Sequence, residues 1–269
     1  EHIDEPSYIT LVNLFKPSEY KHLILNAIES PSDTRDWVYD KYANIDRAKL
    51  PPTLDYRSHL QPIRNQGQQG TCYAQSAACM KEWQESRDYG LNEYLSPQFL
   101  YNIRHNLYDD ISGNDDGMFG RNVMQLLKKV GICLEKSYRY DRIEHRDKMA
   151  TYYFKEAEQH TIKHYGRVTS LEALKWSLLK NGPCLIVFPV YNYTSQLWYR
   201  HTNAERLLGG HAMTVVGYTT DSFIIRNSWG NTWGDYGYTY YYYKNWGLHW
   251  EIWTTIDEKT EQQQQQEQQ

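Results

Sequence analysis

The spacing of apolar positions changes once along the chain. In the first half they recur at helical intervals. "KPSEYKHLILNAIES" gathers Leu23, Ile24, Leu25 and Ile28 on one face and predicts a helix over 16–30. A polar loop, "SPSDTRD", follows, and the Pro pair in "KLPPTLDYRS" forbids helix and marks a boundary near residue 50. From Thr71 to about Tyr89 the pattern is helical again: Ala74, Ala77, Ala78, Lys81 and Glu82 are good helix formers, and Gly90 is placed to end the run. "LSPQFLYNIRHN" and "RNVMQLLKKVG" predict two more helices, the second ended by Gly131. "SLEALKWSLLKNG" predicts another, between Ser170 as N-cap and Gly182 as C-cap.

After Pro183 the pattern becomes that of strands. "CLIVFPVY", "HAMTVVGYT", "SFIIRNS" and "YGYTYYYYK" are rich in β-branched and aromatic residues, with Gly217, Asp221-Ser222 and Gly230 supplying turns. Helices first and an antiparallel sheet second make an α+β fold, with a cleft expected between the halves. The tail "EQQQQQEQQ" is of low complexity and predicts disorder over 258–269.

Composition narrows the function. The net charge of −4 over 269 residues gives no basic excess for nucleic acid or an anionic membrane. No apolar run approaches the ~20 residues that span a bilayer. The chain starts at Glu1 without a signal-type apolar segment, as expected of a processed form. Its four cysteines, Cys72, Cys79, Cys133 and Cys184, lack zinc-ligand spacing and are too sparse for a disulfide scaffold. They read as three small buried residues and one of chemical interest, with no metal or cofactor implied.

That one is Cys72. It follows Gly70-Thr71 in "RNQGQQGTCYAQSAACMKEWQES" and opens a predicted helix. There a thiol sits among unpaired backbone N–H groups at the positive end of the helix dipole, and both lower its pKa. A thiol nucleophile needs a base and a group that orients the base. His211 follows Gly209-Gly210, glycines that let backbone or substrate come close, and opens the strand "HAMTVVGY". Asn227 ends "SFIIRNSWG", where strand–turn–strand geometry can bring its carbonyl to the imidazole, and Trp229 can cover that hydrogen bond. Gln66 precedes Cys72 in the same loop, so that its amide and the Cys72 N–H can hold an oxyanion.

Three blocks, "NQGQQGTCYAQS", "GGHAMTVVGY" and "NSWGNTWGDYGY", resemble in order and content the signatures of papain-like cysteine peptidases, the cathepsin group. The resemblance covers about residues 51–257. It implies a two-domain fold with a helical left domain (62–162) and an antiparallel β-barrel right domain (163–257), the active-site cleft between them. It implies Cys72 as nucleophile, His211 as general acid and base, Asn227 as its orienter and Gln66 as oxyanion donor. Substrates are then proteins or peptides lying extended in the cleft. "NDDGMFG" stands where the family has its Gly-Gly substrate-binding turn: Gly117 matches the first Gly and Met118 replaces the second, which changes the expected shape of that subsite. Gly210 and Trp229 complete the expected substrate-side wall. Gln69 and Asp115 occupy the positions of a usual disulfide, and Ile103 and Trp246 those of other half-cystines, a loss compatible with a reducing compartment. Tyr73 replaces the Trp that usually follows the nucleophile. In "NWGLHWEIW", Glu251 falls at the floor of the main specificity pocket, a cathepsin B-like feature that implies acceptance of Arg or Lys two residues before the scissile bond. The stretch from Tyr140 to Asn181 has no room for a cleft-blocking loop, so an endopeptidase is expected.

Residues 1–50 have two readings: a propeptide-like segment whose strand occupies the cleft, or an extension packed on the right domain. Two other functions compete with peptide hydrolysis. One is a catalytically silent binding protein on the same fold. The other is acyl transfer to an amine, which Asn227 disfavours because such enzymes use Asp as the orienter.

Overall fold

The structure, a computed structural model, describes residues 23–104 and 115–257. The Gln-rich tail and the first part of the helix expected over 16–30 lie outside the described residues. In chain order the elements are β1 (Ala27–Ile28), β2 (Leu54–Asp55), α1 (Cys72–Tyr89), α2 (Pro97–Asn102), β3 (Met118–Phe119), α3 (Gly120–Lys129), α4 (Thr151–Ala157), β4 (His164–Arg167), α5 (Leu171–Asn181), β5 (Cys184–Val190), β6 (Gly209–Tyr218), β7 (Ser222–Arg226), β8 (Tyr238–Tyr242) and β9 (Glu251–Ile256). Short 3₁₀ turns link several of them.

The helix boundaries follow the local chemistry. Ser96 and Ser170 cap α2 and α5 by accepting from the N–H groups of Phe99 and Ala173. Gly90 ends α1 in the left-handed region at φ 65°, its N–H returned to the carbonyls of Glu85 and Ser86. Helix α1 is buried on nearly every side, including its polar residues Gln75, Ser76, Lys81 and Gln84. One side packs with α2 and α3 into a core of Phe99, Leu100, Val123, Leu126 and Leu127. Its other side lies against β6, so the first residue of α1 faces the second half of the molecule.

That second half is one antiparallel sheet in the order β4-β9-β5-β6-β7-β8, with β2 pairing the far end of β6 past an irregularity between Val215 and Gly217. The α+β architecture is as expected, but the sheet is not the expected closed barrel. Its path ends at β4 on one side and β8 on the other, and among the described residues these two strands do not pair. The β4 edge is covered by the N-terminal segment instead: Arg167 donates its backbone N–H to Trp37, and Val38 bridges Arg167. A second core fills the space between sheet and α5, with Leu174, Leu178, Phe188, Trp198, Met213, Phe223 and Tyr241.

Residues 23–30 are extended, which corrects the helix expected there. Ala27 and Ile28 pair in parallel with Met118 and Phe119, and Asn26 bridges Gly210 on the opposite side. Two strand edges offered together outweigh a weak local helical pattern. The chain from 23 to 38 is therefore an arm lying between the helical half and the sheet. Beyond it, Ala43, Ile45 and Leu50 pack on the second core.

Candidate active site

Cys72 is the first residue of α1, fully buried where α1 meets β6. Three backbone N–H groups, those of Ala212, Tyr73 and Cys72 itself, bear on its sulfur. The Ala212 contact brings the thiol beside the start of β6, where His211 stands. His211 is also fully buried, and its Nε2 lies 2.7 Å from Asn227 Oδ1. Register explains the pairing. Thr214 opposes Arg226 across β6 and β7, so one further step places Asn227 opposite Met213, diagonal to His211 on the same face. The Asn carbonyl accepts, which makes Nε2 the protonated nitrogen and leaves Nδ1 as an acceptor. Among the described residues His211 Nδ1 has no hydrogen-bond partner.

Trp229 stacks on the imidazole, ring centroids 4.4 Å apart at 29°, and is itself buried. Sequence reasoning placed it on the substrate side as well as over the His–Asn bond; the stacking observed is the covering role. Gln66 is held at both ends: Oε1 accepts from Ser228 Oγ at 2.7 Å, and Nε2 donates to the Gln69 carbonyl at 2.9 Å. An amide nitrogen carries two N–H donors, so one remains. The backbone N–H of Gln66 also bonds the Ser228 carbonyl, tying this loop to the turn that carries Asn227.

Burial dominates the electrostatics. It pushes the Cys72 thiol up to about 11, against the pull of the three N–H groups and with a smaller upward push from the Asp115 charge. It pulls His211 down to about 4, with the Asn227 hydrogen bond working the other way. Near neutral pH both groups are uncharged here.

The arm lies against this region. Its carbonyls at Asn26 and Ala27 pass so close to Gly117 and Gly210 that a Cβ on either glycine would collide with them. Met118, whose side chain departs from the expected pattern, turns that side chain into the helical core and keeps its backbone edge for Ala27. Tyr73 Oη lies 2.8 Å from the Ile28 carbonyl and 2.9 Å from Glu251 Oε1, its single O–H shared between the two acceptors. Further along, Asp36 accepts from Arg121 Nε, Arg121 Nη2 and Arg167 Nε, each at 2.7 Å. Glu251, opposite Val187 in the sheet, is buried. It accepts from Ser30 Oγ at 3.2 Å, Tyr73 Oη at 2.9 Å and Arg167 Nη1 at 3.2 Å. The pair Gln69 and Asp115 makes no direct bond in place of the expected disulfide. Gln69 turns to Gln98 and Asp141, while Asp115 accepts the Gly70 N–H at 3.0–3.1 Å.

Asn26, Asp36, Arg121 and Arg167 were not singled out from sequence. Each acts on a residue far away in the chain, and no local pattern marks such a partner. Ser228 had a signal, since it adjoins Asn227 in the same block.

A sequence model of the papain family of cysteine proteases matches residues 50–254. The chain belongs to the papain family. Cysteine proteinase 3 of Entamoeba histolytica is 29% identical over 85% of this chain and 74% of that protein. The cathepsin L-like peptidase of Aedes aegypti is 29% identical over 86% and 68%, and mouse cathepsin K is 29% identical over 71% of this chain and 59% of its own length. Among solved structures, xylellain, a cysteine protease from Xylella fastidiosa, superposes with a TM-score of 0.74 at 26% identity, covering 87% of this chain and 96% of that one. Digestive procathepsin L 3 of Tenebrio molitor shares the fold at TM-score 0.64 and 20% identity, covering 94% and 79%. The protein is thus a papain-family cysteine protease with the α+β fold of that family. Among the described residues no helix is long and apolar enough to cross a membrane, and no group of three or more His, Cys, Asp and Glu is placed to hold a metal ion.

Proposed function

We propose that this protein is an endopeptidase whose chemistry runs through Cys72, His211, Asn227 and Gln66, made with its own arm as inhibitor. One observation carries the proposal: an imidazole fixed through Nε2 by Asn227, with Nδ1 unpartnered, at the strand whose next residue touches the Cys72 sulfur. Opening the cleft to water lowers the burial cost of charge, so the thiol proton can pass to His211 Nδ1. The Cys72 sulfur then attacks the substrate carbonyl carbon. The oxygen, now an anion, takes the remaining Gln66 amide N–H and the Cys72 backbone N–H, donors of a kind that lower a barrier by roughly 3–4 kcal/mol. His211 gives its proton to the leaving amine, and a thioester remains. Water, deprotonated by the same nitrogen, cleaves the thioester and restores the thiol.

The peptidase body is taken as 51–257 and the arm as the self-inhibitory part. Glu251 is proposed as the acid at the floor of the main specificity pocket. When the arm leaves, Ser30 goes with it, but Arg167 and Tyr73 stay. A cationic substrate side chain competes with Arg167, so a small preference for Arg at that subsite is expected, read by Phe-Arg against Arg-Arg reporters.

Titration with the epoxide E-64, read by intact mass, tests the proposal. One adduct per chain that is lost in Cys72→Ser supports it. Labelling only after cleavage of the arm assigns the arm as inhibitor. A folded chain that takes no adduct in either form is a silent binding protein on a peptidase fold.

A further inference from the structure

The arm residue at the catalytic centre is Asn26. Its backbone bridges Gly210, next to His211, while its side chain lies over Gly70, two residues before Cys72, and leaves no room there for a Cβ. Its amide nitrogen reaches Asp115, 3.0 Å from the backbone carbonyl and 3.5 Å from Oδ1. Asp115 is held for this position. Both its carboxylate oxygens accept the Gly70 N–H, and Oδ1 also accepts from Tyr101 Oη. Neighbouring Asp116 is paired with Arg104, whereas among the described residues Asp115 is in no ion pair. Asp115 is exposed at the cleft rim, and its charge is felt at Cys72. One residue therefore presents a carbonyl and a carboxylate oxygen to whatever side chain lies beside the nucleophile, and the one seen there is an N–H donor.

We propose that Asp115 is a specificity-determining residue: it selects, at the subsite now filled by Asn26, peptide residues whose side chains donate N–H, namely Lys, Arg, Asn and Gln, and rejects Asp and Glu. The proposal rests on Cys72 being the nucleophile only in so far as that subsite borders the scissile bond. The recognition itself is between a rim carboxylate and a side chain, and it acts on the arm as well as on substrates.

The full chain supplies a test that needs no catalysis. Amide hydrogen exchange of residues 25–30 reports arm seating. Asn26→Lys is expected to stay protected to within about threefold of wild type, and Asn26→Glu to lose roughly tenfold, as suits a charge pair at a partly solvated rim. Asp115→Asn, which keeps an oxygen for the Gly70 N–H, is expected to remove most of the Lys–Glu difference. Equal exchange in Asn26→Lys and Asn26→Glu, or a difference that survives Asp115→Asn, overturns the proposal. On reporter peptides differing only in the residue before the scissile bond, wild type is expected to favour Arg over Glu, and Asp115→Asn to shrink that ratio about fivefold. An unchanged ratio overturns the proposal for substrates. A chain that passes the exchange test yet neither cleaves reporters nor takes E-64 keeps the Asp115 subsite and loses the catalytic assignment, so the two failures are separable.

Discussion

Replacing Asp36 by Asn should open the cleft. Asp36 is the arm's main ionic contact with the body, and its side chain is 9% exposed, against 15% and 19% for Arg121 and Arg167. Burial alone would raise its pKa, but hydrogen bonds from Arg121 and Arg167 prevail and hold the carboxyl below its usual range. Together with Glu251 these four charges sum to zero. An Asn side chain keeps one acceptor, turns an N–H donor toward a guanidinium, and leaves the cluster with an excess positive charge. Three hydrogen bonds of 2.7 Å are involved: all three lose their charged acceptor, and the one or two made to the oxygen that becomes NH2 are broken. Hydrogen bonds to charged groups are each worth about 1.5–3 kcal/mol, and partial exposure discounts the total to roughly 2–3 kcal/mol. Arg121 and Arg167 belong to the body and regain water when the arm lifts, so the loss falls on arm seating. That is roughly a 30- to 150-fold rise in the open fraction. The assay is the second-order rate of E-64 labelling at Cys72, with a thermal melt to show that the fold persists. Asp33→Asn is the internal control, since among the described residues Asp33 is ion-paired with Arg35 alone, in an exposed contact. A labelling rate for Asp36→Asn within about threefold of wild type, or an equal rise in Asp33→Asn, would refute the latch.

Acid should open the arm through His211. Covered, its pKa is pulled to about 4 by burial; hydrated, it returns toward 6.5. Between these values the open state binds more protons, so the closed state loses ground as pH falls, by up to about tenfold per unit. Asp36 stays charged through that window and contributes nothing to it. E-64 labelling of the intact chain, divided by that of the chain freed of its arm, should rise from pH 6.5 to pH 4.5; a flat ratio denies it. Gln66→Ala should lower kcat by roughly 10²–10³-fold with little change in KM, measured on a reporter peptide after arm removal, because only the oxyanion uses the lost donor.

The sequence by itself determined the local elements and the chemical set. Cys72 at a helix start, His211 behind two glycines, Asn227 at a strand end and Gln66 in a turn each sit in a short contiguous block, and the capping serines and Gly90 bound their helices from within. Such features are legible because their cause lies within a few residues. The course of residues 23–38 was not legible. Its apolar residues suit a helix, and only the free edges at Met118 and Gly210 make a strand the better choice. Nor was the use of Glu251 legible: it bonds Ser30, 221 residues away, and Arg167, 84 residues away. The barrel expected of the right domain failed for the same reason, since strand composition specifies strands but closure depends on whether β4 and β8 meet. Tertiary structure also set the protonation of Cys72 and His211. A thiol at a helix N-terminus reads in sequence as an acidified nucleophile, yet the burial of Cys72 and His211 outweighs the backbone dipoles and leaves both uncharged.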